Sequence, residues 1–201
     1  FDAVAGVQPQ SETVWRQADR YQVPRLAFVN KMDRVGADYE RTIEMIRHRL
    51  EANPIPVHYP IGREEDFKGI IDLIEQKAWI FSKEGELGEI SEAPIPEDLA
   101  TKVSEIREEM VERIAENDDA LLERYLQGGD IEAGELKAAL RRATVSNRAV
   151  PVLCGSALSS QGIQLLMDAV TEYLPSPQDK TAIEGQHPQS GQAVVRRADS
   201  A

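Results

Sequence analysis

The chain opens on Phe1-Asp2-Ala3-Val4-Ala5-Gly6, a largely apolar stretch that reads as the tail of a buried strand. A helix is expected next. Pro9 suits its first turn, Glu12 suits the positive end of its dipole, and Val14, Ala18 and Tyr21 recur at helical spacing. Pro24 breaks the pattern. Leu26-Ala27-Phe28-Val29 is continuous and apolar, as in a strand covered on both faces. Asp38 is placed to cap a second helix, whose inward stripe is Tyr39, Ile43, Ile46 and Leu50. Pro54 ends that helix, and residues 55–61 read as one further strand. Strands alternating with helices over short connections predict a parallel sheet covered on both sides.

The pattern changes from about residue 63 to 148. Ile70-Ile71-Asp72-Leu73-Ile74 and Ala78-Trp79-Ile80-Phe81 read as strands of a small sheet, followed by a turn at Lys83-Glu84-Gly85-Glu86. Pro94 and Pro96 lead into a long helix with Leu99, Val103, Ile106, Met110 and Ile114 inward. A shorter helix carries Leu121, Leu122, Tyr125 and Leu126, and Gly128-Gly129 stops it. A third carries Leu136, Leu140 and Ala143. The α/β pattern then returns. Residues 149–154 form a strand, Gly155-Ser156-Ala157-Leu158 a loop, and Gly162 precedes a helix with Leu165, Leu166, Ala169, Val170 and Leu174 inward. Pro175 and Pro177 end it. From residue 176 onward the chain is polar and aperiodic and reads as a linker toward a following domain.

Composition narrows the classes. Two fifths of the 201 residues are hydrophobic, and charged residues are interleaved with them, so a folded core is expected rather than disorder. Acids outnumber bases 35 to 23, a net charge of −12, which repels phosphate backbones and argues against direct nucleic-acid binding. Glu105, Glu108, Glu109, Glu112, Glu116, Asp118 and Asp119 concentrate that charge on the helices of the middle segment. They read either as a solvated face or as a docking surface for a protein. The single cysteine, Cys154, excludes an internal disulfide, fits a reducing cytoplasm, and is expected to be a small buried strand residue. No apolar run reaches membrane-spanning length, and no secretory signal opens the chain. With no initiator Met and a strand tail at residue 1, the chain is expected to begin inside a domain.

Asn30-Lys31-Met32-Asp33 follows the first apolar strand and has the Asn-Lys-x-Asp form of GTP-binding proteins. A carboxylate only accepts hydrogen bonds. Guanine offers two adjacent donors, N1–H and its amino group, so Asp33 can take both; adenine would oppose a lone pair to it, a mismatch that discriminates strongly. Asn30 can donate toward the base and tie neighbouring loops together. The stem of Lys31 can lie across the base. Such a position, at the carboxyl end of a parallel strand, is where open α/β sheets bind ligands. Asn30 and Asp33 could equally shape a strand-to-helix turn. A second element adds weight. Cys154-Gly155-Ser156-Ala157 also follows a strand and precedes a helix. In GTP-binding proteins a Ser-Ala loop of this kind sits beside the base, where the Ala157 amide can donate to the guanine carbonyl. Ser156, Ala157 and Leu158 therefore join Asn30, Lys31 and Asp33 as candidate nucleotide-binding residues.

Residues 1–7, Ser11-Glu12-Thr13-Val14-Trp15-Arg16-Gln17-Ala18, Phe28 to Arg34, Phe67-Lys68-Gly69-Ile70-Ile71-Asp72-Leu73, residues 152–157 and Tyr173-Leu174-Pro175-Ser176-Pro177 together resemble the bacterial elongation factor G family. The resemblance implies an α/β fold: an incomplete doubly wound parallel sheet of a P-loop GTPase domain, residues 1–62 and 149–175, with an inserted α+β subdomain, residues 63–148. It implies a guanine-recognising portion of a ribosomal translocation GTPase, using GTP or GDP, in the cytoplasm. Implied partners are the ribosome and, through the insert, its stalk protein. Alternatives are a non-catalytic module that docks the stalk protein, or part of a related ribosome-protecting or release GTPase. The family's phosphate-binding loop, its Mg²⁺-binding threonines and its catalytic histidine have no counterpart in these residues, so the chain alone is expected to be inactive. No catalytic or metal-binding residue is assigned. His48, His58 and His187 match no catalytic position and read as surface or structural residues. Leu158-Ser159-Ser160-Gln161 departs from a loop that is commonly more basic, which touches only fine contacts around the base.

Overall fold

The computed structural model describes residues 1–82, 89–179, 183–186, 188–196 and 198. Helix α1 spans Pro9–Arg20, strand β1 Ala27–Val29 and helix α2 Tyr39–Arg49. Four short strands follow: β2 at Pro54–Pro56, β3 at His58–Ile61, β4 at Gly69–Asp72 and β5 at Lys77–Phe81, with a 3₁₀ turn at Glu64–Asp66. Strand β6 is Ile90–Ala93. Helices α3 (Glu97–Ala115), α4 (Asp119–Leu126) and α5 (Ala133–Val145) lead to β7 (Val150–Cys154) and α6 (Ile163–Tyr173). Beyond a 3₁₀ turn at Pro177–Asp179 lie β8 (Ile183–Gln186) and β9 (Ala193–Arg196).

Three strands make a parallel sheet in the order β1-β7-β2, with Val29 opposite Cys154 and Pro54 opposite Val150. Residue 2 adds a parallel bridge to Asn30 outside β1. β7 is central and buried along its whole length. Its alternate residues serve two cores. Val150, Val152 and Cys154 pack with Trp15, Ile43 and Ile46, whereas Leu153 packs with Leu136, Leu140 and Ala169. That period-2 division explains why the segment carries no polar face. Pro54 and Pro56 lie on an edge strand, where a missing N–H costs no ladder bond on the open side.

The second sheet is antiparallel, in the order β3-β4-β5-β6. Residues 55–61, expected as one strand, are two. Val57 is the pivot: its N–H donates to Val152 at 3.0 Å and its carbonyl accepts from Leu73 at 3.0 Å, so the chain leaves the parallel sheet and joins the antiparallel one at that residue. The two sheets share their cores, since Ile70 lies in one hydrophobic cluster and Ile71 in the other.

Most helix faces fall where the periodicity puts them. Tyr39, Ile43 and Ile46 are buried on α2, with Asp38 accepting the Arg41 N–H at 2.9 Å as its cap. Val103, Met110, Ile114, Leu136 and Leu140 are buried on α3 and α5. α1 differs. Val14 and Tyr21 are exposed, and the inward residue is Trp15, which packs against Phe1 and carries the Arg25 guanidinium 4.2 Å from its ring centroid. A large aromatic between two smaller apolar residues sets the facing here. Leu126 and Val170 are also exposed, and Tyr173 takes the inward place on α6 instead. In the stretch read as an aperiodic linker, β8 and β9 pair as an antiparallel ribbon. The expected turn at residues 83–86 and His187 lie outside the described residues. Among the described residues, no helix is long and apolar enough to cross a membrane.

Candidate functional site

The ends of β1 and β7 place two loops side by side. The ladder between those strands continues into the loops: Gly155 N–H donates to Val29 at 3.0 Å and Met32 N–H to Gly155 at 3.1 Å. Asn30 is the junction. Its Oδ1 accepts the Lys31 N–H at 2.8 Å and the Ala157 N–H at 2.9 Å. Two donors converging on one atom fix the amide orientation, because only the oxygen can accept them. The Nδ2 group makes no hydrogen bond among the described residues and is left as a donor.

Lys31 adopts a left-handed backbone, φ 67°. Its Nζ lies 2.6 Å from Asp2 Oδ2. Asp2 in turn accepts the Val4 and Ala5 N–H groups through Oδ1. The Lys31 ammonium bonded to Asp2 holds that carboxyl below its ordinary value, with the two backbone donors adding to the effect. Asp33 is half-buried and receives the Ser159 hydroxyl at 3.3 Å on Oδ2.

The second loop is closed by reciprocal backbone bonds between Ser156 and Gln161, at 3.0 and 2.9 Å. Ser156 is buried, and its Oγ accepts the Ser159 N–H at 3.4 Å. Gly155 has no room for a side chain, since a Cβ there would stand 2.3 Å from the Gln161 carbonyl oxygen and 2.7 Å from the Phe28 ring. Ala157 and Leu158 are exposed, Leu158 at 75%. The Ala157 N–H already has Asn30 as acceptor, so a bound carbonyl would share it. The Leu158 N–H has no acceptor among the described residues and belongs to the exposed part of the loop.

Glu64 reaches the first loop. Its N–H donates to the Met32 carbonyl at 2.8 Å, and its Oε1 accepts the Gly36 N–H at 2.8 Å. Thus the structure draws Asn30, Lys31, Asp33, Ser156, Ala157 and Leu158 into one neighbourhood, and adds Asp2, Ser159 and Glu64, which the motifs do not name. A single charged residue inside the otherwise apolar opening stretch was the available signal for Asp2. Nothing local marks Glu64.

Of the other singled-out residues, Cys154 is fully buried and its thiol is pushed far up by burial. His48 is exposed beside Glu44. His58 is buried within a cleft of about 250 Å³ that Asp72, Glu75, Lys137 and Glu172 also line. Burial lowers it to about 4, against an opposing pull from Glu172.

A family model described as the elongation factor Tu GTP binding domain matches residues 1–176. Curated proteins called elongation factor G, from Thermotoga petrophila and Thermotoga maritima, are each 54% identical over 201 residues. That covers 99% of this chain and 28% and 29% of theirs, so the chain spans a little over a quarter of the length of the curated relatives it matches. A crystal structure of a Thermus thermophilus protein is 32% identical, with a TM-score of 0.80, covering 90% of this chain and 26% of that one.

Proposed function

This chain belongs to the elongation factor Tu GTP-binding domain family, and from that premise we propose that its two paired loops read the guanine base of GTP or GDP. Asp33 accepts guanine N1–H and the 2-amino group. Asn30, with Oδ1 committed to the two backbone donors, offers Nδ2 to the base. The Leu158 amide, with that of Ala157, donates to the 6-oxo group. Lys31 is tethered by Asp2, which keeps its aliphatic stem extended beside the loop, where a flat base can rest on it. Ser156 supports the turn from beneath. The observation that carries this reading is the Asn30–Ala157 bond, because it brings an acceptor-only carboxylate and the amides of an exposed turn to one place from the two ends of the chain.

For the whole protein we infer a translational GTPase of the elongation factor G kind, on the strength of the relatives' name, and hence a cytoplasmic role on the ribosome. That name favours this reading over a release or ribosome-protection factor. Residues 1–62 and 149–175 act as the base-reading part, residues 63–148 as an insert, and residues from 176 lead onward. The insert is read as the docking surface for the ribosomal stalk protein. Glu105, Glu108 and Glu112 of α3 and Glu116 at its C-cap support this: they recur on one face and are exposed, while Glu109 is paired with Arg113 and Arg47. A docked basic partner would find a row of exposed carboxylates there.

Phosphate chemistry depends on amides that cradle the phosphates, Mg²⁺ and a positioned water. The 201 residues contain no glycine-rich phosphate loop. Among the described residues no group of His, Cys, Asp and Glu is arranged to hold a metal ion, and no step is assigned to Mg²⁺. The chain by itself is therefore expected to turn GTP over negligibly.

The test is competition. A fluorescent GDP analogue is titrated with the chain, then displaced by unlabelled GDP or ADP. GDP is expected to displace it and ADP to fail at about a hundredfold excess, a margin well inside what an unpaired polar group provides. Equal displacement by both would remove the base-reading proposal.

A further inference from the structure

We propose that Ser159 is a positioning residue that makes the site selective for purines carrying a 2-amino group as well as N1–H. This rests on the guanine reading above. Asp33 has one side-chain donor among the described residues, the Ser159 hydroxyl, 3.3 Å from Oδ2. Ser159 is itself held, since its N–H donates to the Oγ of the buried Ser156. The reciprocal Ser156–Gln161 bonds fix the ends of that loop. A chain of contacts therefore runs from the folded loop to one oxygen of the carboxylate.

The chemistry follows from the geometry of a two-point contact. An Asp carboxylate turns about a soft terminal torsion. To accept two adjacent donors at once, its plane must coincide with the plane of the base. To accept one, it need not. A carboxylate has about four lone-pair sites, so the hydroxyl can occupy one on Oδ2 and leave sites on both oxygens for the base. Pinning Oδ2 thus removes rotation that only the two-point contact is sensitive to. Guanine uses both points. Hypoxanthine has the same N1–H and 6-oxo group but no amino group, and uses one. The Ser159 contact therefore acts on the ratio between them more than on either affinity.

The chain is tested with GDP and IDP as ligands, ADP as the control, and S159A, S159T and S159V as variants. Threonine and valine have nearly the same shape and differ in the hydroxyl. The wild type and S159T are expected to share one GDP-to-IDP affinity ratio. In S159A and S159V that ratio falls on the order of three- to tenfold, the net worth of one ordinary hydrogen bond, as befits a long contact that acts on the base only through Asp33. Thermal unfolding of each variant separates this from a damaged fold, because a general loss of structure weakens GDP and IDP by the same factor. Equal ratios in S159T and S159V, or GDP and IDP falling together in S159A, overturn the role of Ser159 alone. A wild type that treats GDP and ADP alike overturns the guanine reading, and this inference with it.

Discussion

Asn30 Oδ1 accepts the backbone N–H of Ala157 at 2.9 Å, although the two residues are 127 positions apart. One side-chain atom thereby joins the loop after β1 to the loop after β7. Asn30→Ala would release the exposed Lys31 and Ala157 amides to water, and is expected to cost roughly 0.5–1.5 kcal/mol in urea unfolding. Asn30→Asp keeps an acceptor for both amides but loses the Nδ2 donor. It should unfold close to the wild type while losing about tenfold in GDP affinity. Equal losses of stability in the two variants would mean that Oδ1 does not receive the two amides.

Asp33→Asn replaces one acceptor by a donor. Guanine's amino group then meets an N–H, while xanthine, with a carbonyl at that position, becomes complementary. GDP affinity is expected to fall by a factor of at least ~100 and XDP to overtake it, as measured by competition with the same fluorescent nucleotide.

Gly155→Ala places a methyl group 2.3 Å from a backbone oxygen that is held by its own ladder. The Phe28 ring can rotate aside; the Gln161 carbonyl cannot. A destabilisation of roughly 2–4 kcal/mol is expected by denaturant titration, with weakened nucleotide binding beyond it.

His58 gives a pH dependence. Its folded value of about 4 lies below the ordinary value of 6.5, so the unfolded chain takes the proton first. The stability associated with a neutral His58 is complete above pH 6.5 and is lost as pH falls toward 4, by about 3 kcal/mol at that end. Asp72, whose carboxyl burial raises, acts in the opposite sense, so the comparison is between slopes. His58→Gln should flatten the acid limb of stability against pH between 6.5 and 4. An unchanged slope would mean that the imidazole is solvated.

Much of this arrangement is legible in the chain. β1 and β7 are continuous apolar runs because both faces are covered, and the Asp38 cap and the α2 stripe follow from local rules. The two loops proposed to read the base announce themselves by residue type and by their place after a strand. The unread parts depend on partners that local pattern does not encode. Val57 splits a strand because its N–H and carbonyl find acceptors and donors in different sheets. Trp15 overrides the Val14–Tyr21 spacing by size and by the rings and guanidinium around it. Ser159 stands out in sequence only as a departure from a more basic loop, and its contact with Asp33 appears only once the strands are aligned.

Glu64 bears on how far this protein can be shortened. With a left-handed backbone, φ 57°, it presents its amide to Met32 and its carboxylate to Gly36 from just inside the segment that separates the two motifs. Excising residues 63–148 to make a miniature base-binder would delete that brace along with the helices. The trimmed protein would then keep every motif letter yet leave a carbonyl and an amide of the first loop to water. A workable graft has to carry one acidic residue, in the same backbone geometry, across the splice.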